Sequence, residues 1–412
     1  STISRAWSVT GVQSIELFDM AIDGSGNLYL VGSFDGTDVD FDPHWPDEDL
    51  HSCSDWFEAC FLTSLTAEGG YRYTRVWEAP GSVQCEAVST DALGNIYATG
   101  NFDSPVDFDP GPGVDEKIAN NRDCYVVKFD TAGNYIWTVH WGGVGDDDMV
   151  VNCEVSADRL GNVFVAGDFE GVDTDFDPGT DPGEVDLHSS AGMLDAFLSI
   201  FDSNGDFQWA GTWGSTDNDQ AFGVATDGNG SAYVVGKYTH TVDLDPGDEP
   251  GEEDLHVSAD SGHVYLSRFN SLGDYFWGVS TGKGGGLEPT AISAHQNGTV
   301  LVTGCFWDSP DFCPGTGTDI HSSNGPLNDA YVSCFDSTSA YQWTRTIGGI
   351  DDDLSWDVAF GEGAVGLITG YFQGSDVEFA ETGAPCFDIS DLRTSNGMTD
   401  AFLVKYLPDG CW

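Results

Sequence analysis

An all-β chain, folded as a six-bladed β-propeller with four antiparallel strands per blade, is expected from three features. Glycines recur at Gly32, Gly100, Gly167, Gly236, Gly304 and Gly370, every 66 to 69 residues, each followed two positions later by an aromatic (Phe34, Phe102, Phe169, Tyr238, Phe306, Phe372). Nine residues before the first four glycines stands the Asp of an Asp-x-x-Gly-Asn/Ser turn signal: Asp23, Asp91, Asp158 and Asp227. No amphipathic helical stretch of any length interrupts the pattern. Self-similarity at a fixed period marks a repeat fold.

Two alternating segments flank the Asp-x-x-Gly turn, as in AVSTDALGNIYATGNF at 87–102, which predicts a hairpin of strands A and B. A second hairpin, C and D, follows in DCYVVKFDTAGNYIW (123–137), DAFLSIFDSNGDFQW (195–209) and DAYVSCFDSTSAYQW (329–343). A four-stranded sheet of about 67 residues cannot bury both faces alone, so copies must stack, and a radial propeller of four-stranded blades does this. Residues 1–412 then form a single domain. Trp7 and Trp412 are read in phase with Trp77, Trp137, Trp209, Trp277 and Trp343, so residues 1–12 are expected to supply the outer strand of the last blade. Closure of this kind removes open edges.

The pattern G-N-x-Y-V-x-G-x-F, then V-D-F-D-P-G, then D-A-F/Y-V-x-K-F-D-x-x-G-x-Y-x-W resembles the bacterial propeller repeats called SBBP. The resemblance covers nearly the whole chain. It implies a propeller in a secreted or cell-surface protein. The family name implies seven blades, whereas six repeats are counted here.

Thirteen Lys and Arg face 69 Asp and Glu, a net charge of −56. Nucleic acid and anionic membranes are thereby excluded as direct partners, because both attract a positive surface. The acidity either solvates the protein in a salty medium or binds cations, and the two are compatible. A hydrophobic content of 40% with 25 Phe predicts a true core. No apolar run approaches the roughly 20 residues of a membrane span. No signal peptide opens the sequence, which is read as starting at a mature protein.

Several of the ten cysteines fall on equivalent repeat positions. Cys60 and Cys124 open strand C of blades 1 and 2, and Cys85 and Cys153 lie in strand A of blades 2 and 3. Cys60–Cys85 and Cys124–Cys153 are therefore expected as two copies of one inter-blade disulfide, and Cys305–Cys334 as a third bridge between strands B and C of blade 5. The partners of Cys53, Cys313, Cys386 and Cys411 do not follow from the sequence. Such usage implies an oxidising, extracellular or cell-surface setting.

The B–C and D–A connections fall on one end of each blade and the short turns on the other. Each B–C connection carries an acidic stripe: Asp40 and Asp42, Asp107 and Asp109, Asp175 and Asp177, Asp243 and Asp245. Alternation puts the carboxylates on one side and Phe or Leu on the other, and a return strand through Asp49-Leu-His51, Asp186-Leu-His188, Asp254-Leu-His256 or Asp319-Ile-His321 makes the connection a hairpin. These histidines are read as structural. The D–A loops add Asp146, Asp147 and Asp148, Asp217 with Asp219, and Asp351 to Asp353, while Asp123, Asp195, Asp329 or Asp400 opens strand C. Carboxylates converging from separate loops suit calcium, which takes six to eight oxygens at roughly 2.3 to 2.6 Å. Simple turn capping by Asp is the competing reading. Blade 5, with Cys313, and blade 6, with Ala380, lack the second stripe carboxylate.

Catalysis breaks repeat symmetry, and no Gly-x-Ser-x-Gly, His-Glu-x-x-His or phosphate loop is found. The expected function is a non-enzymatic, calcium-stabilised binding or structural module with a protein or glycan ligand, or a homo-oligomeric surface layer or filament. The alternative is a polysaccharide-acting propeller hydrolase or lyase, for which acid pairs are abundant.

Overall fold

The computed structural model describes residues 9–42, 48–53, 58–143, 149–179, 185–247, 253–258, 262–361, 363–379 and 391–411. The fold is all-β, with six successive antiparallel sheets, the first five pairing their strands in the order A-B-C-D and the sixth showing A-B-C among the described residues, the β-propeller repeat that the sequence predicts. In the second sheet these strands are Ala87–Thr90, Ile96–Phe102, Asp123–Phe129 and Tyr135–Trp141. No helix among the described residues is long and apolar enough to cross a membrane. The chain forms two compact units, Ser1–Ser190 with Phe197–Ala210 and Ala191–Ala196 with Gly211–Trp412.

Within each unit the core lies between neighbouring sheets. Val31 and Leu62 of the first sheet pack with Val88, Ala98 and Val127 of the second, and Val235 and Leu266 of the fourth pack with Val300 and Val302 of the fifth. Burial of both sheet faces is what stacking achieves.

The recurrent glycine has a steric cause. Strand A carries a register irregularity at Leu17/Asp19, Val151/Glu154, Ala221/Gly223, Pro289/Ala291 and Ser355/Asp357, opposite the repeated glycine of strand B. The irregularity drives a strand A carbonyl onto the glycine Cα. A Cβ on Gly32, Gly100, Gly236, Gly304 or Gly370 would overlap the carbonyl oxygen of Glu16, Gln84, Gln220, Glu288 or Leu354. Across the ladder the same glycine faces an aromatic of strand C: Phe61, Tyr125, Tyr265, Tyr331 or Phe402. In two sheets that aromatic hydroxyl donates to the displaced carbonyl, Tyr125 to Gln84 at 3.0 Å and Tyr265 to Gln220 at 3.1 Å.

The repeated tryptophan and the scarce cations join one sheet to the next. The indole N–H groups of Trp137, Trp277 and Trp343 donate to the carbonyls of Ser203, Ser337 and Pro408 in the following C–D turn, at 3.2 to 3.3 Å. Arg75, Lys128, Arg268 and Arg345 donate to Gly133, Ser203, Ser337 and Gly410 of the same turns. Lys128 is buried beside the Tyr97 ring, its Nζ 4.9 Å from the ring centroid, and burial lowers its pKa.

Three sequence expectations need correction. Trp77 pairs with Cys60 as Trp141 pairs with Cys124, so it is four residues out of phase with Trp137, and Tyr73 takes the equivalent place. Thr10 and Val12 pair with Asp40 and Gly36, extending strand A of the first sheet rather than the outer edge of the last. Residues 1–8 and Trp412 lie outside the described residues, and the sixth sheet has three described strands, Leu354–Gly361, Val365–Phe372 and Asp400–Tyr406. Cys305 pairs with Ala330 and Cys334 with Leu301, four positions apart along the ladder, so the third bridge cannot form.

Cys124 and Cys153 are joined as expected. Cys60 and Cys85 are buried thiols beside one another, unbridged; burial and then Cys85 push the Cys60 pKa up. Cys411 is disulfide-bonded, and Cys386 lies outside the described residues.

Gly100→Ala is expected to cost about 1 to 3 kcal/mol through overpacking, whereas Gly24→Ala, which meets open space, should change stability by less than about 0.5 kcal/mol. Urea unfolding of the two variants checks this, and equal stabilities would remove the steric account. Non-reducing peptide mapping of protein from an oxidising medium should recover Cys124–Cys153 and also Cys60–Cys85; Cys60 joined to another partner would break the repeat argument.

Candidate functional site

The B–C connections are hairpins, as the stripes predict. In the second sheet Val106–Asp107 pairs with Glu116–Lys117. The Asp107 Oδ1 accepts the backbone N–H groups of Asp109 at 3.1 Å and Asp115 at 2.8 Å, and Asp109 Oδ1 accepts that of Gly111 at 2.8 Å. Asp40 holds Asp42 and Asp49 in the same way, Asp175 holds Asp177 and Asp186, Asp243 holds Asp245 and Asp254, and Asp311 holds Cys313 and Asp319. Asp177 and Asp245 likewise cap Gly179 and Gly247. The apolar partners Phe41, Phe108, Phe176, Leu244 and Phe312 are fully buried. The first stripe carboxylate is thus turned onto its own hairpin backbone, which is the turn-capping reading of these residues.

The return arm is tied at its start to strand D. Tyr71, Tyr135, Tyr275 and Tyr341, which begin strand D just after the C–D turn, donate their hydroxyls to Asp49, Asp115, Asp254 and Asp319. The same acids lie 3.0 to 3.3 Å from a basic group two residues on: His51, Lys117, His256 and His321. The histidines therefore serve the hairpin, as expected.

The D–A loops hold a different arrangement. Asp195 opens strand C with 4% of its surface exposed, directly beneath Gly214, where a Cβ would overlap its carboxyl. Its Oδ2 accepts the Ala191 N–H at 2.8 Å, while its Oδ1 is buried without a hydrogen-bond partner. Asp219, fully buried, accepts the N–H of Ser215, the residue after Gly214, and that of Thr239 at 2.8 Å. The Asp219 N–H in turn donates to the carbonyl of Leu194, next to Asp195.

The fifth sheet repeats this. Asp329, 1% exposed, lies under Gly348, accepts the Asn324 N–H at 3.0 Å through Oδ2, and leaves Oδ1 buried without a partner. Fully buried Asp353 accepts Gly349 N–H at 2.7 Å and Gln373 N–H at 2.9 Å, and its own N–H donates to the Asn328 carbonyl. Burial, then the neighbouring carboxylate, pushes the Asp195 pKa up to about 6 and that of Asp329 to about 7; burial raises Asp353 to about 6. In the second sheet Asp123 lies under Gly142 with Oδ1 likewise unpartnered and Oδ2 3.1 Å from His140 Nδ1. Asp146, Asp147 and Asp148 lie outside the described residues. Among the described residues no three His, Cys, Asp or Glu side chains group as a metal cluster.

Sequence reasoning named these loop acids without pairing them; the signal was Gly214 or Gly348 five residues before Asp219 or Asp353. It also missed a cavity of about 570 Å³ in the first unit, lined by His140, Asp177, Asp206, Lys117 and Phe207. Two departures from the repeat meet there. Lys117 stands where four other hairpins carry His, and Phe207 where four other D strands begin with Tyr.

By its fold the chain is a β-propeller repeat protein. No family model matches it. It is 21% identical over 290 residues to an uncharacterised WD repeat-containing protein of Acanthamoeba polyphaga mimivirus, covering 63% of this chain and 21% of that protein. It is 28% identical over 183 residues to the regulatory protein FlaEY of Caulobacter vibrioides, covering 43% of this chain and 18% of that protein. The chain thus spans about a fifth of the length of these curated relatives. A solved protein of unknown function from Bacteroides caccae superposes with a TM-score of 0.33 at 11% identity, over 81% of this chain and 82% of that chain.

The raised carboxyls predict a pH dependence. The native state holds protons that the unfolded chain, with Asp near 3.8, has released, so this stability is complete below that value and is lost as pH rises to about 7. In chelating buffer at fixed ionic strength the melting temperature should fall between pH 5 and about 7.5, and Asp329→Asn should flatten the fall. A profile identical in the variant would show that Asp329 does not titrate there.

Proposed function

We propose that the chain is a secreted or cell-surface propeller of the SBBP repeat type, a non-enzymatic binding and structural module stiffened by calcium. One observation carries the reading: the repeated polar side chains serve backbone turns in sheet after sheet, whereas among the described residues Asp195 and Asp329 each keep a buried carboxylate oxygen that no hydrogen-bond donor reaches. The ligand is a glycan or a protein, with assembly into a surface layer or filament as a further use of the same scaffold. The cavity at His140, Asp177 and Phe207 favours a glycan, because it offers carboxylate acceptors beside an aromatic ring and its volume falls in the range of small-molecule sites. It also supports a second reading, a polysaccharide hydrolase or lyase, in which Asp177 and Asp206 would be the acid pair.

A cation that binds only the folded chain stabilises it by mass action. Chelation should lower the melting temperature at fixed ionic strength, and calcium should restore it where sodium of equal ionic strength does not. Restoration by sodium alone would mean that the acidity is only a salt-adapted surface.

A further inference from the structure

We propose that the Gly214–Ser215 and Gly348–Gly349 steps of the D–A loops each close over a site for a hard divalent cation, held by two buried carboxylates: Asp195 with Asp219, and Asp329 with Asp353. This rests on the calcium reading and gives it a location that the acidic stripes do not.

Both members of each pair are fixed by the same dipeptide. The first glycine leaves no room for a Cβ above Asp195 or Asp329, and the next N–H is bonded to Asp219 or Asp353. The backbone bonds from Asp219 to Leu194 and from Asp353 to Asn328 tie the second acid beside the first. Three of the four oxygens in each pair accept a backbone N–H, and the fourth, Oδ1 of Asp195 or Asp329, is buried with no partner. A buried carboxylate oxygen without a donor calls for a cation or a proton.

Without a cation that Oδ1 can carry a proton, the state that burial favours at Asp195 and Asp329. A hard cation can displace that proton, because carboxylate oxygens, backbone carbonyls and water are its usual ligands. The repetition of the arrangement in two sheets, with Asp123 under Gly142 as a further instance of its first half, argues against an accident of one loop. Calcium and magnesium share this oxygen chemistry. The smaller ion gives up its water more reluctantly, so calcium should bind more tightly to a largely buried site.

Calorimetric titration of the full chain with calcium chloride, and separately with magnesium chloride, tests the assignment. Asp195→Asn and Asp329→Asn should each remove one equivalent of bound calcium and shrink the calcium-induced rise in melting temperature. Asp243→Asn and Asp311→Asn, in the hairpins, should leave the stoichiometry unchanged. Binding of magnesium but not calcium, lost in the same two variants, would keep the site and overturn the calcium reading. Calcium binding that survives both loop substitutions would overturn the site and leave the calcium reading standing. A wild-type chain that takes up neither ion would sink both. If the Asn variants do not fold, anomalous scattering from terbium-soaked wild-type crystals decides: a peak between Asp329 and Asp353 supports the proposal, and its absence rejects it.

Discussion

The hydrogen bond from a backbone N–H to an aspartate oxygen is the interaction on which this architecture rests. A short turn leaves N–H groups pointing inward with no strand partner, and each needs an acceptor. Asp91 supplies one at the A–B turn, bonding Leu93 and Asn95, and Asp130 does so at the C–D turn, bonding Ala132 and Asn134. Asp107 closes the hairpin between B and C, and Asp353 closes a loop between D and A. Much of the acidic composition thus does the work of turn formation, at the places where a sheet of short strands changes direction.

Strand packing follows a second constraint, the displaced carbonyl of strand A. Only a residue without a side chain tolerates that carbonyl, and the aromatic on strand C then fills the space above it, as Tyr125 does over Gly100. The irregularity, the glycine and the aromatic are one unit, which explains why the glycine keeps its period more faithfully than the turn acid that precedes it. His295 and Gly361 replace that acid in the last two repeats, while Gly304 and Gly370 remain. An exposed turn has alternatives to Asp; a carbonyl pressed onto Cα has no alternative to Gly.

This difference sets what could be read in advance. Strand positions, the order within each sheet, the hairpins and the inward Phe108 and Phe176 follow from local alternation and steric exclusion, and were legible. The phase of Trp77 was not, because blade 1 fills the packing position with Tyr73 and an indole four residues later looks equivalent in a one-dimensional alignment. Cys305 and Cys334 sit on adjacent strands, yet a disulfide depends on their offset along the ladder, which the repeat period alone does not report. At the candidate site the identities of Asp195, Asp219, Asp329 and Asp353 were legible, but their pairing under a glycine step depends on loop geometry. The stripe carboxylates were visible too, and their inward bonding was hidden for the same reason.

An N–H group orients a carboxylate without cancelling its charge, and few of the acids have a base beside them, since 69 Asp and Glu face 13 Lys and Arg. Arg75, Lys128, Arg268 and Arg345 face backbone carbonyls in the next C–D turn, so several of the thirteen Lys and Arg are engaged away from the acids. Exposed aspartates are served by water and mobile ions. A buried pair is not, and its two charges repel through a medium far less polarisable than water. The chain therefore reaches a point at Asp329 and Asp353 where the device that closes many of its other turns leaves buried charge that a backbone N–H alone does not balance.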